Sequence, residues 1–399
     1  MERIMRIIVT TIGSYGDLQP FLALAVELRQ HGHEPIFALP SYFMRHAQRL
    51  GFAAVQLGPD LGAAQEEIIR GESQSISNDQ RPSLWQPFLA AMPQAFAQLC
   101  ALCAEADLLI SSNMMPLGRI VHDLTATPLV AVRQDWPYQG IFTPGEAEGM
   151  LLQYLNGFRA QLGLAPLDDP VVAKYSPQLT LFSVSRALLP PEPDWPAHYH
   201  VTGFFFLDEP GWQPDPALTA FLEAGPPPAL ITLGSTIHDD PATLTRLFLD
   251  AIERVGCRAL IQQPAADTPL PPTVHAVGYA PYDQLLPHTA AVVHHGGAGT
   301  TACAWRAGVP AVVIPYYSDQ LPLADWTVEH GYASAAIRAG ELNVERLSAA
   351  LHAALYEPRY REATAALAAT IRAEQGVRTA RLLIEQLAAR LTELASRSA

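Results

Sequence analysis

The feature that most constrains this chain is the same alternation written twice, once on each side of a proline-crowded stretch. Short apolar runs are followed by helix-length stretches from Met5–Thr11 onward, and the pattern restarts at Ala229–Leu233 after prolines accumulate between Leu188 and Pro228. Buried runs alternating with helices call for parallel strands joined by crossover helices. In the first half the strand candidates are Met5–Thr11, Pro35–Leu39, Ala53–Leu57, Asp107–Ser111 and Leu129–Val132. A helix is expected from Gln19 to His31, with Pro20 in its first turn and Gly32 past its end. In the second half the strands are Ala229–Leu233, Arg258–Gln262, Val274–Val277, Ala291–His294, Ala311–Pro315 and Ala333–Ile337, with a helix near Ala242–Val255. Beyond Leu342 only helices are expected, the last over Gly376–Ala395. The proline-rich segment reads as a partly extended connection rather than helix.

A chain of 399 residues exceeds what one core usually serves, so two doubly wound domains are expected. The expected division is 1–205, 206–375, and a terminal helix at 376–399 that packs back on the first domain. With 16% charged residues and a formal net charge of -14, the composition is globular and excludes general attraction to nucleic acid or anionic lipid. The four cysteines form no dense framework, and the N-terminus lacks a long apolar stretch, so a soluble cytoplasmic protein is expected. Cys100 and Cys103 lie in an apolar helical pattern without a second ligand pair and read as core.

Ligands of open parallel sheets bind outside the carboxyl ends of the strands. The loops that matter are therefore Gly13–Asp17, Gly234–Asp239, Tyr279–Asp283, His294–Thr301 and Tyr316–Gln320. In "HHGGAGTT" the glycines Gly297 and Gly299 admit a ligand close to the backbone, and the following helix points free amides at it. A phosphate or diphosphate fits, with His295 and the Thr300 hydroxyl as further donors. Ser235 offers a second hydroxyl at a neighbouring strand end, or else caps the helix before Pro241. Asp319 and Gln320 could hydrogen-bond vicinal sugar hydroxyls, although such an aspartate alone is more often a helix cap. Adjacent strand residues His294 and His295 face opposite sides, which argues against a shared metal. Neither Gly-rich turn gives the dinucleotide pattern G-x-G-x-x-G after the first strand.

The stretch "GYAPYDQLLPHTAAVVHHGGAGTTACAWRAGVPAVVIPYYSDQ", Gly278 to Gln320, resembles the nucleotide-sugar signature of the family 1 glycosyltransferases. The opening "TIGSYGDLQPFLALAVELRQHGHE" resembles the first strand, loop and helix of the same family, especially its bacterial branch of sterol, rhamnolipid and antibiotic glycosyltransferases. The resemblance implies an α/β fold of the GT-B type, two Rossmann-like parallel-sheet domains facing a central cleft. It also implies a metal-independent hexosyltransferase with a nucleotide-sugar co-substrate, UDP-glucose before a dTDP-deoxysugar such as rhamnose, and no further cofactor.

Carried over position by position, the resemblance gives His295, Gly297, Gly299 and Thr300 the diphosphate, supported by Ser235, and gives Asp319 and Gln320 the hexose. Tyr279 or the Ala280 backbone would meet the base. Tyr282 and Cys303 depart from the plant branch, which has ribose-contacting Gln and Glu there. Asp17 falls where the plant branch has its catalytic His. Taken by itself Asp17 reads as a helix cap two or three residues before Pro20; the resemblance makes it the general base.

An ordinary carboxylate, with a pKa near about 4, is a weak base for an alcohol. It suffices if the diphosphate leaves first and the acceptor proton is lost late, as in oxocarbenium-like glycoside chemistry. The first half would hold an apolar acceptor such as a sterol, terpenoid, polyketide, flavonoid or hydroxy-lipid, with Trp85, Phe88, Met114, Trp136 and Phe142 as lining. Such an acceptor brings peripheral membrane contact into consideration, whereas nucleic acid is not an expected partner; oligomeric state is left open. Met92, Met115 and Met150 lie in the same region, where Met and aromatic residues at helical spacing otherwise read as core. A sugar-nucleotide epimerase and a non-catalytic partner protein on the same scaffold are the rival readings.

Overall fold

A computed structural model describes residues 4–60, 85–134, 146–169, 175–233, 240–316 and 320–398. The chain divides into two compact units. The first takes residues up to Leu207 and resumes at Glu374; the second runs Asp208–Ala373.

The first unit is built on β1 (Arg6–Thr10), β2 (Glu34–Leu39), β3 (Ala53–Gln56), β4 (Leu108–Ser112), β5 (Leu129–Arg133), β6 (Leu179–Phe182) and β7 (Tyr199–Val201). They form one sheet in the order β3-β2-β1-β4-β5-β6-β7, and every pairing is parallel. Its helices are α1 (Tyr15–Gln30), α2 (Ser41–Arg49), α3 (Trp85–Cys103), α4 (Leu117–Thr125) and α5 (Glu146–Gln161). Alternate strand residues feed two apolar layers. Ile7, Val9, Leu108 and Ile110 pack with Phe21 and Leu24 of α1, while Ile8 and Leu109 pack with Met92 and Leu99 of α3 and Ile120 of α4. Both faces being covered, these strands carry nearly continuous apolar runs.

The second unit holds α6 (Pro216–Glu223), β8 (Ala229–Thr232), α7 (Pro241–Val255), β9 (Ala259–Gln262), β10 (Val274–Val277) and the short α8 (Tyr282–Leu285). It continues through β11 (Ala291–His294), α9 (Ala298–Ala307), β12 (Ala311–Val313), α10 (Gln320–Glu329), β13 (Ala333–Ala336), α11 (Val344–Tyr356) and α12 (Pro358–Ala373). The sheet runs β10-β9-β8-β11-β12-β13, again all parallel. Ile231, Val293 and Val312 pack against Phe248 of α7 and Leu351 of α11; Leu230, Val292 and Val313 face Ala304 of α9 and Ala324 of α10.

The final helix, α13 (Gly376–Ser398), belongs to the first unit and buries Ala380, Ile384 and Leu387 in the layer shared with α1. Arg381 pins it there by pairing with Glu27 of α1 at 3.0 Å and with Glu385 at 2.7 Å; Glu385 also meets the buried His33 at 3.2 Å.

Three local expectations are corrected. α1 begins at Tyr15, four residues before Gln19, so Pro20 stands inside the helix instead of in its first turn. The reason is a cap at Ser14, described below. The proline-rich stretch is not simply an extended connection: β7 lies in it, and α6 starts at Pro216 where the Asp215 side chain accepts from the Leu218 N–H at 2.8 Å. Aspartate before proline is a helix start even in proline-rich company. Leu179–Phe182, a fully buried strand, was not anticipated from its four-residue run.

Candidate functional site

In each sheet the strand order reverses once where a ligand crevice is expected, between β1 and β4 in the first and between β8 and β11 in the second. Chemistry-bearing residues gather at the carboxyl ends of those strands.

In the first unit the loop after β1 leads into α1 through Ser14, the helix N-cap. Asp17 is the third helical residue and its carboxylate reaches back. Oδ2 accepts from the Ser14 backbone N–H at 2.7 Å and from the Ser14 hydroxyl at 2.8 Å. This is one arm of a capping box, which satisfies donors that a helix start otherwise leaves bare. Gln134 donates to the Asp17 carbonyl at 3.0 Å, and Tyr42 donates to that of Gly13 at 3.0 Å. The carboxylate is thus half-buried and held at a defined place on a rigid turn. Asp17 is a capping residue, as its type alone suggests, but as the third residue and not the N-cap.

In the second unit β11 ends at His294, and the next residues turn sharply into α9. His294 is fully buried; its Nδ1 accepts from the Gly296 N–H at 3.0 Å, which fixes the tautomer with the proton on Nε2. Burial, with the neighbouring His295, pushes its pKa down to about 3, so the ring is neutral. Gly296 has φ +88, and a Cβ there would press into Val313. Gly297 is the N-cap of α9, and a Cβ on it would run into Nε2 of the buried His295. The imidazole therefore lies against the N-cap of α9, at the positive end of the helix dipole. Around Gly299 no heavy atom lies within 4 Å of a would-be Cβ, leaving an open approach.

Thr300 is the third residue of α9, and its hydroxyl lies near that of Tyr282. The Tyr282 hydroxyl also meets Thr232, the last residue of β8, at 2.9 Å and Gln262, the last of β9, at 3.4 Å. Thr232 in turn donates to Gln262 Oε1 at 2.5 Å, and Gln262 Nε2 donates to the Gly278 carbonyl at 3.1 Å. Burial pushes the Tyr282 phenol above its ordinary range, so it stays a neutral hydroxyl. The residue that departs from the plant pattern is directed into the strand ends beneath the glycine turn. Sequence reasoning missed this network; β8, β9, α8 and α9 supply one member each, and no local pattern announces it.

Tyr279 is 59% exposed, and its hydroxyl donates to Glu209. Glu209 is itself held: its N–H donates to Asp283 Oδ2 at 3.2 Å, and its neighbour Asp208 forms a paired contact with Arg306 at 2.6 and 2.7 Å. A tethered ring with an open face can stack on a planar base. Ala280 turns its side chain into the core. Burial pushes the Cys303 thiol up to about 12. Gln320, the first residue of α10, is buried, with Oε1 accepting from the Tyr316 N–H at 3.0 Å and its Cβ against Gly296.

Ser235, Asp319, Trp136 and Phe142 lie outside the described residues, as do the side chains of Trp85, Phe88 and Met150. Met114 packs half-buried against the α3 and α4 layer; Met92 and Met115 are core within it. Cys103 is likewise core, its thiol pushed up to about 12 by burial, with Cys100 beside it. Among the described residues no cluster of His, Cys, Asp or Glu has metal-binding geometry, and no helix is long and apolar enough to cross a membrane.

Two Rossmann-like parallel-sheet units, the second with a glycine-capped helix start, define a GT-B scaffold. Among solved structures, the calicheamicin glycosyltransferase CalG4 matches 97% of this chain and 99% of its own at TM-score 0.75 and 19% identity. The glycosyltransferase VinC in complex with dTDP matches 97% and 100% at TM-score 0.72 and 23% identity. A sequence model for the family described as "Erythromycin biosynthesis protein CIII-like, C-terminal domain" matches residues 247–378. O-mycaminosyltylonolide 6-deoxyallosyltransferase of Streptomyces fradiae is 31% identical over 96% of this chain and 98% of its own length. A sterol 3-beta-glucosyltransferase of Neosartorya fischeri is 30% identical over 94% of this chain and 29% of its own length. The chain belongs to the family 1 glycosyltransferases and is a sugar-transferring enzyme.

Proposed function

We propose that this enzyme transfers a hexose, with inversion, from a nucleoside diphosphate to a hydroxyl of a hydrophobic small-molecule or lipid acceptor. The observation that carries the donor half is the start of α9, where Gly297 caps the helix and His295 overlies it. Free amides, the helix dipole and an imidazole converge on one open approach, and that set stabilises the charge growing on a departing diphosphate. Thr300 adds a hydroxyl there, and Tyr279 supplies the stacking face for the base. Ser235 supports the phosphate, while Asp319 and Gln320 read the sugar.

Asp17 is the general base. Because departure of the diphosphate leads, the carboxylate receives the acceptor proton late, and with no enzyme nucleophile intervening the anomeric centre inverts. Sterol, terpenoid, polyketide, flavonoid and hydroxy-lipid alcohols are the acceptor class, consistent with relatives named for a macrolide and for sterols.

UDP-glucose is the first donor to test. A second reading, a dTDP-deoxysugar, is favoured by a specific observation: Tyr282 and Cys303 stand where the plant branch holds ribose. The Tyr282 hydroxyl is committed to Thr232 and Gln262, and burial of the thiol weakens Cys303 as a hydroxyl partner. Transfer assays with UDP-glucose, dTDP-glucose and dTDP-rhamnose against a panel of lipophilic alcohols decide between the donors, and NMR of the product gives its anomeric configuration. A retained configuration removes Asp17 as base. An isomerised donor without transfer would make the protein an epimerase.

A further inference from the structure

Asn113 follows the last residue of β4 and prolongs its ladder, donating its N–H to the Val132 carbonyl at 3.0 Å. Strand alternation therefore puts its side chain on the face of Leu109, toward the layer that holds Met92 and Met115. β1 and β4 pair Thr10 with Ser111. Asn113 lies two residues past that pair, at the end of the strand beside the one whose following loop leads to Asp17. The residue is 5% exposed, and its Oδ1 is buried without a hydrogen-bond partner. Its neighbours along the chain do not share this state: the Ser111 hydroxyl donates to the Met115 carbonyl at 3.2 Å, and the Ser112 hydroxyl accepts from the Met114 N–H at 3.0 Å.

An amide oxygen buried without a donor lowers stability, and folded proteins leave few of them. It is an acceptor only, so the group that completes it must bring a proton. Asn113 stands at the carboxyl edge of the first sheet, where the strand order reverses and where ligands of such sheets bind.

We infer that the Asn113 amide oxygen accepts a hydrogen bond from a hydroxyl of the bound sugar acceptor, making Asn113 a binding and specificity residue of the first unit. This rests on the reading that the first unit binds the acceptor. It explains why an apolar layer ends in an amide: the site rejects an alcohol that cannot present a donor there, because the oxygen would stay bare.

The experiment compares wild type with Asn113→Leu and Asn113→Ala, using cholesterol in detergent micelles and erythronolide B as acceptors. In the free protein Asn113→Leu should leave the melting temperature unchanged or raise it, because a bare polar atom is replaced by an apolar side chain. In transfer, both variants should raise the acceptor KM roughly three- to tenfold, the worth of one hydrogen bond, with donor KM unchanged. A fall in melting temperature of several degrees in both variants means that Oδ1 is satisfied within the protein and overturns the inference. So does an unchanged acceptor KM. A wild type that transfers sugar to neither alcohol but hydrolyses the donor counts against the acceptor reading and removes this inference with it. Donor-side failure would instead appear as loss of hydrolysis as well.

Discussion

The imidazole of His295 occupies the space that a Cβ on Gly297 would need. Gly297 has φ -61 and ψ 139, an extended backbone open to any residue, so alanine there meets no backbone strain. Its methyl must instead displace the ring from the start of α9. Gly297→Ala is expected to keep its melting temperature within a few degrees of wild type while weakening UDP or dTDP binding about 10- to 100-fold, the worth of a hydrogen bond to a charged group. Calorimetric titration with both nucleotides checks this; unchanged affinity would show that His295 does not serve the phosphate. Gly296→Ala gives the contrast. At φ +88 and against Val313 it should destabilise the fold itself.

Asp17 has two roles that a single substitution can separate. Asparagine keeps an oxygen for the Ser14 N–H and hydroxyl, whereas alanine loses the cap, worth about 1 kcal/mol. Asp17→Asn should therefore melt close to wild type yet lose about 10²- to 10⁴-fold in kcat. Ser14→Ala should show the reverse, a modest loss of stability with turnover largely kept. Full turnover by Asp17→Asn in a steady-state assay would end its assignment as base.

The sheets were legible because each buried parallel strand is a short apolar run, and the order of runs and helices leaves few topologies. Strand ends from Val274–Val277 to Ala291–His294 needed no tertiary information. Pro20 is a poor start signal here, because Ser14 and Asp17, three residues apart, set the start of the helix. The tight glycine turn at Gly296–Gly297 was legible, since only a close approach or a positive φ asks for glycine at such positions. What lies beneath it was not. Tyr282 meets Thr232 and Gln262 across sequence separations of 50 and 20 residues, which no periodicity encodes. The same holds for Glu209 on Tyr279, and for the bare oxygen of Asn113.

Tyr282 is expected to position Thr300. Thr301, next along α9, turns its hydroxyl back to the Gly297 carbonyl at 2.9 Å, the default for threonine in a helix. The Thr300 hydroxyl makes no such bond and lies near that of Tyr282. Tyr282→Phe keeps the ring and its packing and removes only the hydroxyl. Donor KM should rise about fivefold, for one hydrogen bond, with acceptor KM unchanged. Combined with Thr300→Val, the second substitution should add little, a coupling of about 0.5 kcal/mol or more in a double-mutant cycle. Strict additivity would show that Tyr282 acts elsewhere.

His294 makes the stability of the second unit depend on pH in a defined direction. Its folded pKa is held at about 3 by burial, below the ordinary value of about 6.5. Between these values the unfolded chain binds a proton that the folded ring refuses, so stability falls as pH drops below about 6.5 and continues falling toward 3. His294→Asn keeps an acceptor for the Gly296 N–H and removes the titration. The difference in melting temperature between wild type and variant should therefore be largest near pH 7 and shrink steadily toward pH 4.5. His46, His198 and His200, which burial also holds below the ordinary range, remain in both proteins and cancel in the comparison. A constant difference across that range, or an imidazole signal of His294 titrating near pH 6 by NMR, would show that the ring is not the buried neutral prop of the glycine turn.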